Sequence, residues 1–201
     1  MTAAFPSARD QRGASARGGR CFVALLLALL YGPLLATQAQ SADGADLLTE
    51  LKVAYIYNFT RFIRWPEVSG GRPFCIGVIS DSAMEAGLRV LEQDGKRADG
   101  RPIEVRAYGE PDTIGPCEIL FVGAAASDRL GAIVRRTTGK PTVLVGDTPG
   151  YVGRGVAIEL FRKPDVFRRS ERLRFRIDPA ALKGRGLTVS AQLYDVAEVV
   201  E

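Results

Sequence analysis

From Asp46 to Pro66 (DLLTELKVAYIYNFTRFIRWP) apolar residues recur at helical spacing. At about 100° per residue, Leu47, Leu48, Leu51, Tyr55, Ile56, Phe59, Phe62 and Ile63 fall in one arc, with Glu50, Thr60, Arg61 and Arg64 opposite. The pattern predicts an amphipathic helix lying on a core. Pro66 excludes a further turn and biases Trp65 away from helical backbone, so the helix is expected to end near Arg64. Lys52 and Asn58 are the residues that amphipathicity alone does not require.

Beyond this helix the period changes, and short apolar runs alternate with helical segments, the order of βαβ units and a mainly parallel sheet. Strands are predicted at Phe74 to Ser80, Ile103 to Ala107, Glu118 to Gly123 and Thr142 to Gly146. The last two (EILFVG, TVLVG) are apolar on both faces, as central parallel strands are. Helices are predicted at Ser82 to Gln93 and Ser127 to Thr137, opened by capping-type residues at Asp81 or Ser82 and at Ser127 or Asp128.

After Asp147 the character shifts again. Val156 to Lys163 and Arg172 to Asp178 read as an antiparallel pair joined by Pro164 to Glu171. In the second strand Leu173, Phe175 and Ile177 alternate with Arg172, Arg174 and Arg176, giving one buried face and one arginine ladder. The ladder is either a solvated edge protected by charge or a docking surface for an acidic partner. Ser190 to Val200 (SAQLYDVAEVV) reads as a last helix whose apolar face meets the core or a second copy. The expected fold class is therefore α/β: a single domain with a mainly parallel, doubly wound, Rossmann-like sheet, an antiparallel C-terminal strand pair and flanking helices.

The head of the chain sets the compartment. Residues 1 to 20 hold Arg9, Arg12, Arg17 and Arg20 against Asp10, and Cys21 to Ala36 is free of charge. That is an n-region followed by an h-region, shorter than the roughly 20 residues that span a bilayer. Gly32-Pro33 breaks it before the small-residue sequence Ala36-Thr37-Gln38-Ala39. Residues 1–39 are read as a cleaved signal peptide, residues 45–201 as the folded domain, and the location as periplasmic; a retained anchor is the alternative. Four arginines and one aspartate leave with the leader, so 23 basic residues face 22 acidic ones in what remains. The apparent basicity of the whole chain thus belongs to the leader, and a nucleic-acid partner is not expected.

Candidate chemistry is sparse. The chain has no histidine, which removes Ser-His-Asp and Cys-His mechanisms and most zinc sites. Neither a G-x-G-x-x-G nor a P-loop occurs. No catalytic residue, metal site or cofactor is assigned. What remains is the crevice at the carboxyl ends of the strands, where Ser80, Asp81, Gly123, Ala124, Gly146, Asp147 and Thr148 converge as a candidate ligand site. Arg172, Arg174 and Arg176 are the candidate partner contact. Beyond the leader the cysteines are Cys75 and Cys117, each at the entrance of a predicted strand. In a sheet of order 2-1-3-4 those strands are neighbours, which makes a disulfide geometrically feasible, with two buried free thiols as the alternative. Closing a loop of about 43 residues would contribute about 3–4 kcal/mol in the chain-entropy account.

The pattern L-K-x-A-Y-x-Y-N-F-x-x-F-x-x-W-P, followed in order by PFCIGVISDS, CEILFVGAAAS, PTVLVGDTPGY, the G-x-A-I-x-L segment from Gly155 to Leu160, LRFRID and LTVSAQLYDVAEVV, resembles the YfiR-like family. These are periplasmic proteins typified by a repressor of an inner-membrane diguanylate cyclase. The resemblance implies a non-enzymatic regulator that binds the periplasmic part of a membrane signalling protein, with effects on cyclic di-GMP and biofilm formation. A small-ligand sensor or accessory protein for a receptor or histidine kinase is the alternative, and a homodimer and a small ligand are the further partners left open. The chain departs from the family pattern at Gly146, where Ser is usual, at Gly155-Val156-Ala157, which replaces a Gly-Gly-Met-type stretch, and at Asp178, where Asn is usual.

Overall fold

A computed structural model describes residues 44–66, 71–165 and 170–200 of the chain; the leader predicted over residues 1–39 lies outside them. The aromatic-rich segment is helical (α1, 44–62), and it stops short of Arg64. Ile63–Arg64 (β1) leave the helix extended and pair antiparallel with Thr188–Val189. Trp65 follows. Its indole N–H donates to the Glu118 carbonyl at 3.0 Å, and its ring meets Phe74 edge-on at a centroid distance of 5.0 Å. The Trp-Pro stop therefore ties the helix end to the sheet as well as terminating the helix.

β2 (Phe74–Ile79) leads into α2 (Ser82–Gln93), where Asp81 caps by accepting from the Met84 N–H at 2.9 Å. Arg97–Ala98 (β3) form a short antiparallel pair with the start of β4 (Arg101–Tyr108). Next come β5 (Ile119–Val122), α3 (Leu130–Thr137) and β6 (Val143–Gly146). The predicted helix from Ser127 is shorter: a 3-10 turn covers Ala124–Ala126, and α3 begins only at Leu130. Ser127 cannot cap it, because its hydroxyl turns back to the Ala124 carbonyl at 2.6 Å.

β7 (Ile158–Asp165) and β8 (Ser170–Ile177) form the predicted antiparallel pair, in register from Ile158 opposite Ile177 to Asp165 opposite Ser170. The pairing runs past Pro164, into what reads from sequence as loop. Asp178 leaves β8 and caps α4 (Pro179–Lys183), accepting from Ala180 N–H at 2.8 Å and Ala181 N–H at 3.1 Å. After β9 (Thr188–Val189) comes the largest departure. The predicted terminal helix is only α5 (Ala191–Val196), and Glu198–Val199 (β10) run extended and parallel to β8 at Arg176 and Ile177. Glu198 supplies the reason: its carboxylate reaches Lys163 at 2.6 Å and Arg176 at 3.6 Å, drawing the chain onto the sheet.

The eight strands stand in the order β10-β8-β7-β6-β5-β2-β4-β3, mainly parallel, and β1 with β9 forms a separate antiparallel sheet. Side chains alternate across the parallel centre as a pleat requires. Ile119 and Phe121 face the cluster that includes Ile56 and Phe59 of α1 and Met84 and Leu88 of α2, whereas Leu120 and Val122 face Leu130 and Ile133 of α3. On α1 the buried stripe is Val53, Ile56 and Phe59, continued by Ile63 of β1, and Leu47 and Leu51, assigned to it above, are 58% and 43% exposed. The rotation follows from α2. Gly87 lets the two helices approach so closely that a Cβ there would lie 2.9 Å from Cγ2 of Val53. That contact pulls Val53 inward and leaves the two leucines outside.

Cys75 of β2 and Cys117, just before the neighbouring β5, form a disulfide with a Cα–Cα distance of 4.6 Å.

Candidate functional site

Register places the candidate crevice. Ile79, Val122 and Gly146 stand side by side on β2, β5 and β6, so Ser80, Gly123 and Asp147 begin three adjacent loops. Each is then occupied by the protein itself. Ser80, at φ 59°, accepts from a guanidinium N–H of Arg129 at 2.9 Å, and Asp81 is spent as the α2 cap. Gly123 lies against the Ser80 backbone, where a Cβ would come within 2.5 Å of the Ser80 carbonyl oxygen; Ala124 opens the 3-10 turn. Over Gly146 lies the ring of Tyr151, fully buried, so close that a Cβ at 146 would stand 2.5 Å from its Cδ2. Its hydroxyl donates to the Gly123 carbonyl at 3.2 Å and lies 2.8 Å from Ser127 Oγ. Tyr151 thus bridges the strand ends that the sequence leaves open.

Asp147 pairs with Lys52 of α1 at 2.5 Å, both side chains mostly buried, which explains the lysine that amphipathicity did not call for. Beside the pair a shallow groove of about 430 Å³ opens between Leu48, Pro149, Phe161 and Leu173. Thr148 Oγ1 is buried without a hydrogen-bond partner among the described residues.

The arginine ladder divides into three fates. Arg176 lies 4.0 Å over the Phe161 ring and binds the buried carboxylate of Glu159 at 2.8 Å, which also accepts from the Val152 N–H. It is a structural group. Because β10 covers β8 at this point, Arg176 does not stand on a free edge. Arg172 binds Asp165 at 2.8 Å and stays exposed. Arg174 faces a groove of about 800 Å³ between α1, β8 and α5, whose walls include Asn58, Arg61, Phe62, Phe175 and Val196. Nε of Arg174 is buried and unpartnered among the described residues, and Val196 is 54% exposed. The groove joins two cations, an amide and apolar side chains on one open surface, and it places Asn58, the other residue not required by the helix pattern.

Nearby charges are tuned by pairing. The Lys163 ammonium, hydrogen-bonded to Glu198, holds that carboxyl below the usual range, and Arg176 and Arg174 add to the effect. At the far end of the strands Glu118 is 2% exposed and binds Arg72 at 2.7 Å and Arg101 at 2.9 Å, and it accepts from the Cys75 N–H at 2.8 Å. Sequence reading passed over Glu118 and Tyr151. A carboxylate heading an apolar strand directly after a cysteine, and an aromatic closing a Thr-Pro-Gly loop, were the available signals.

A family model described as YfiR/HmsC-like matches residues 49–198, a span that holds α1 from Thr49, the strands of both sheets as far as Glu198 of β10, and the two grooves almost entire. The chain belongs to the YfiR/HmsC-like family. No curated protein matches it. Within this YfiR/HmsC-like chain the motif residues Lys52, Asn58, Trp65 and Asp147 are those the structure ties to the crevice, the groove and the helix end. Among the described residues no helix is long and apolar enough to cross a membrane.

Proposed function

We propose that this protein is a periplasmic, non-enzymatic regulator that binds the periplasmic part of an inner-membrane signalling protein, a diguanylate cyclase, and holds it in its inactive state. Family membership over residues 49–198 supports the class, and the observation that carries the mechanism is the use made of the strand ends. Asp81 caps a helix, Asp147 is paired to Lys52, and Tyr151 covers the space between them. Neither carboxylate is free for acid-base work, while an open surface with Arg61, Arg174 and Val196 stands ready for contact. Such a surface acts by differential affinity for two states of a partner, not by turnover. We read the β4-β2-β5-β6 centre, with helices on both faces, as a doubly wound Rossmann-like arrangement, and residues 1–39 as the leader that delivers the domain to the periplasm.

Deleting the gene in a strain that holds the cognate cyclase is expected to raise cyclic di-GMP and biofilm formation. Complementation with the full chain restores the level, and a version lacking residues 1–39, trapped in the cytoplasm, does not. Arg174→Glu, which reverses the charge in the groove, is expected to lose repression at unchanged thermal stability, because such charges govern association rather than the core. Unchanged cyclic di-GMP after deletion would favour the ligand-sensor alternative instead.

A further inference from the structure

One end of the sheet carries positive charge that the fold does not balance. No acidic residue occurs from Leu130 to Gly146 or from Pro179 to Tyr194; the first stretch holds Arg135, Arg136 and Lys140, the second Lys183 and Arg185. The fold joins them. Arg185, just beyond α4, reaches the end of α3 and the entrance of β6, donating to the Thr137 carbonyl at 2.9 Å and to the Thr142 and Ala181 carbonyls at 3.0 Å. The Lys140 N–H meets the same Thr137 carbonyl at 3.1 Å. These cations therefore gather where α3 and α4 end, and among the described residues none of them makes an ion pair.

Helix carbonyl ends favour positive charge, yet Arg185 already occupies the Thr137 and Ala181 carbonyls. Arg136 is tied to the Ile114 and Asp112 carbonyls at 3.3 and 3.1 Å. The ammonium groups of Lys140 and Lys183 hydrogen-bond to nothing among the described residues. Burial lowers the Arg185 pKa from the ordinary arginine value, and no carboxylate raises it back. What the patch attracts follows from what it lacks. Protein interfaces centre on buried apolar side chains, whereas a charged lipid surface needs only clustered point charges. The large apolar residues left exposed among the described residues, Leu47, Leu51, Val90, Val196 and Val199, stand on α1, α2, α5 and β10, away from this end. Beyond residue 39, 23 basic residues face 22 acidic ones, so any attraction comes from this clustering and not from net charge.

We infer that the end of the molecule carrying Lys140, Lys183 and Arg185 rests on an anionic phospholipid surface, held there by electrostatic attraction. The patch shares no residue with the Arg61–Arg174 groove, and lipid contact confines the protein to the surface in which the proposed partner lies.

Flotation of the protein, purified after export, tests this with vesicles of phosphatidylglycerol and phosphatidylcholine in equal parts and with vesicles of phosphatidylcholine alone. No partner protein is present, so the result is independent of the regulator reading. The protein is expected to float with the first vesicles and not the second, with a partition that falls as ionic strength rises. Lys140→Ala and Lys183→Ala should each lower the partition about fivefold, and together about 25-fold, the loss expected of one and two charges near such a surface. Circular dichroism and thermal midpoint should stay unchanged, because neither ammonium has a partner to lose. Arg162→Ala removes an equal charge from β7 and should change the partition little. Equal flotation with both vesicles, none at low salt, or a partition indifferent to the double variant overturns the inference. So does an equal loss with Arg162→Ala, or retention on immobilised polyglutamate without flotation, which would assign the patch to an acidic protein.

Discussion

Glu118 shows most clearly how one side chain can decide a region. Its carboxylate is buried at the entrance of β5, bound by Arg72 and Arg101 and by the backbone of Cys75, and its carbonyl holds the Trp65 indole. Removing one partner of a buried ionic group leaves the others uncompensated, which costs about 3–5 kcal/mol, whereas an exposed pair contributes at most about 1 kcal/mol. Glu118→Gln is therefore expected to lower stability by about 3 kcal/mol or more in urea denaturation. Glu104→Gln, which breaks the exposed pair with Arg106, is expected to change it by less than about 1 kcal/mol. Equal effects would mean that the hub is solvated in solution. The departures from the family pattern also resolve at this scale. Asp178 caps α4 through the oxygen that an asparagine would offer equally, so that change is conservative. At 146 a serine Cβ would meet the Tyr151 ring at 2.5 Å, so glycine there and the inward tyrosine belong together.

Elements were legible where local pattern and tertiary context agreed. α2 lies over Ser82–Gln93 as its period and cap predict, and the apolar runs of β2, β5 and β6 became strands within a residue or two of expectation. Local pattern failed where a distant partner decided the outcome. Ser190 to Val200 has a helical stripe, yet Lys163 and Arg176 capture Glu198, and the segment ends as strand. The arc on α1 was drawn too wide because periodicity cannot tell which of two adjoining apolar rows meets the core; the contact of Gly87 with Val53 settles it. The same logic gives a paired test. Phe59, fully buried and edge-on to Phe175 at 5.2 Å, should cost about 3–5 kcal/mol on Phe59→Ala, while Leu51→Ala should cost under about 1 kcal/mol. Thermal unfolding of the two variants checks it, and a Leu51 effect as large as that of Phe59 would restore the wider arc.

For the whole molecule, the strand-end crevice was legible as a place but not as a state. Sequence located Ser80, Gly123 and Asp147 on adjacent loops, because strand order and register follow from βαβ connectivity. It could not show that Tyr151, Arg129 and Lys52 fill that space, since each arrives from another element. The ladder was likewise visible as an alternation, while the division of labour among Arg172, Arg174 and Arg176 depends on Asp165, Glu159 and β10. A filled crevice and an open cationic groove support the proposed regulator, which would work by occupying a partner. The direct measurement is a titration of purified mature protein onto membrane vesicles holding a fixed amount of the cognate cyclase, with synthesis of cyclic di-GMP as the readout. The account predicts inhibition that saturates near equimolar protein and is lost with Arg174→Glu; inhibition by trace protein that grows with time, or none at equimolar protein, would contradict it.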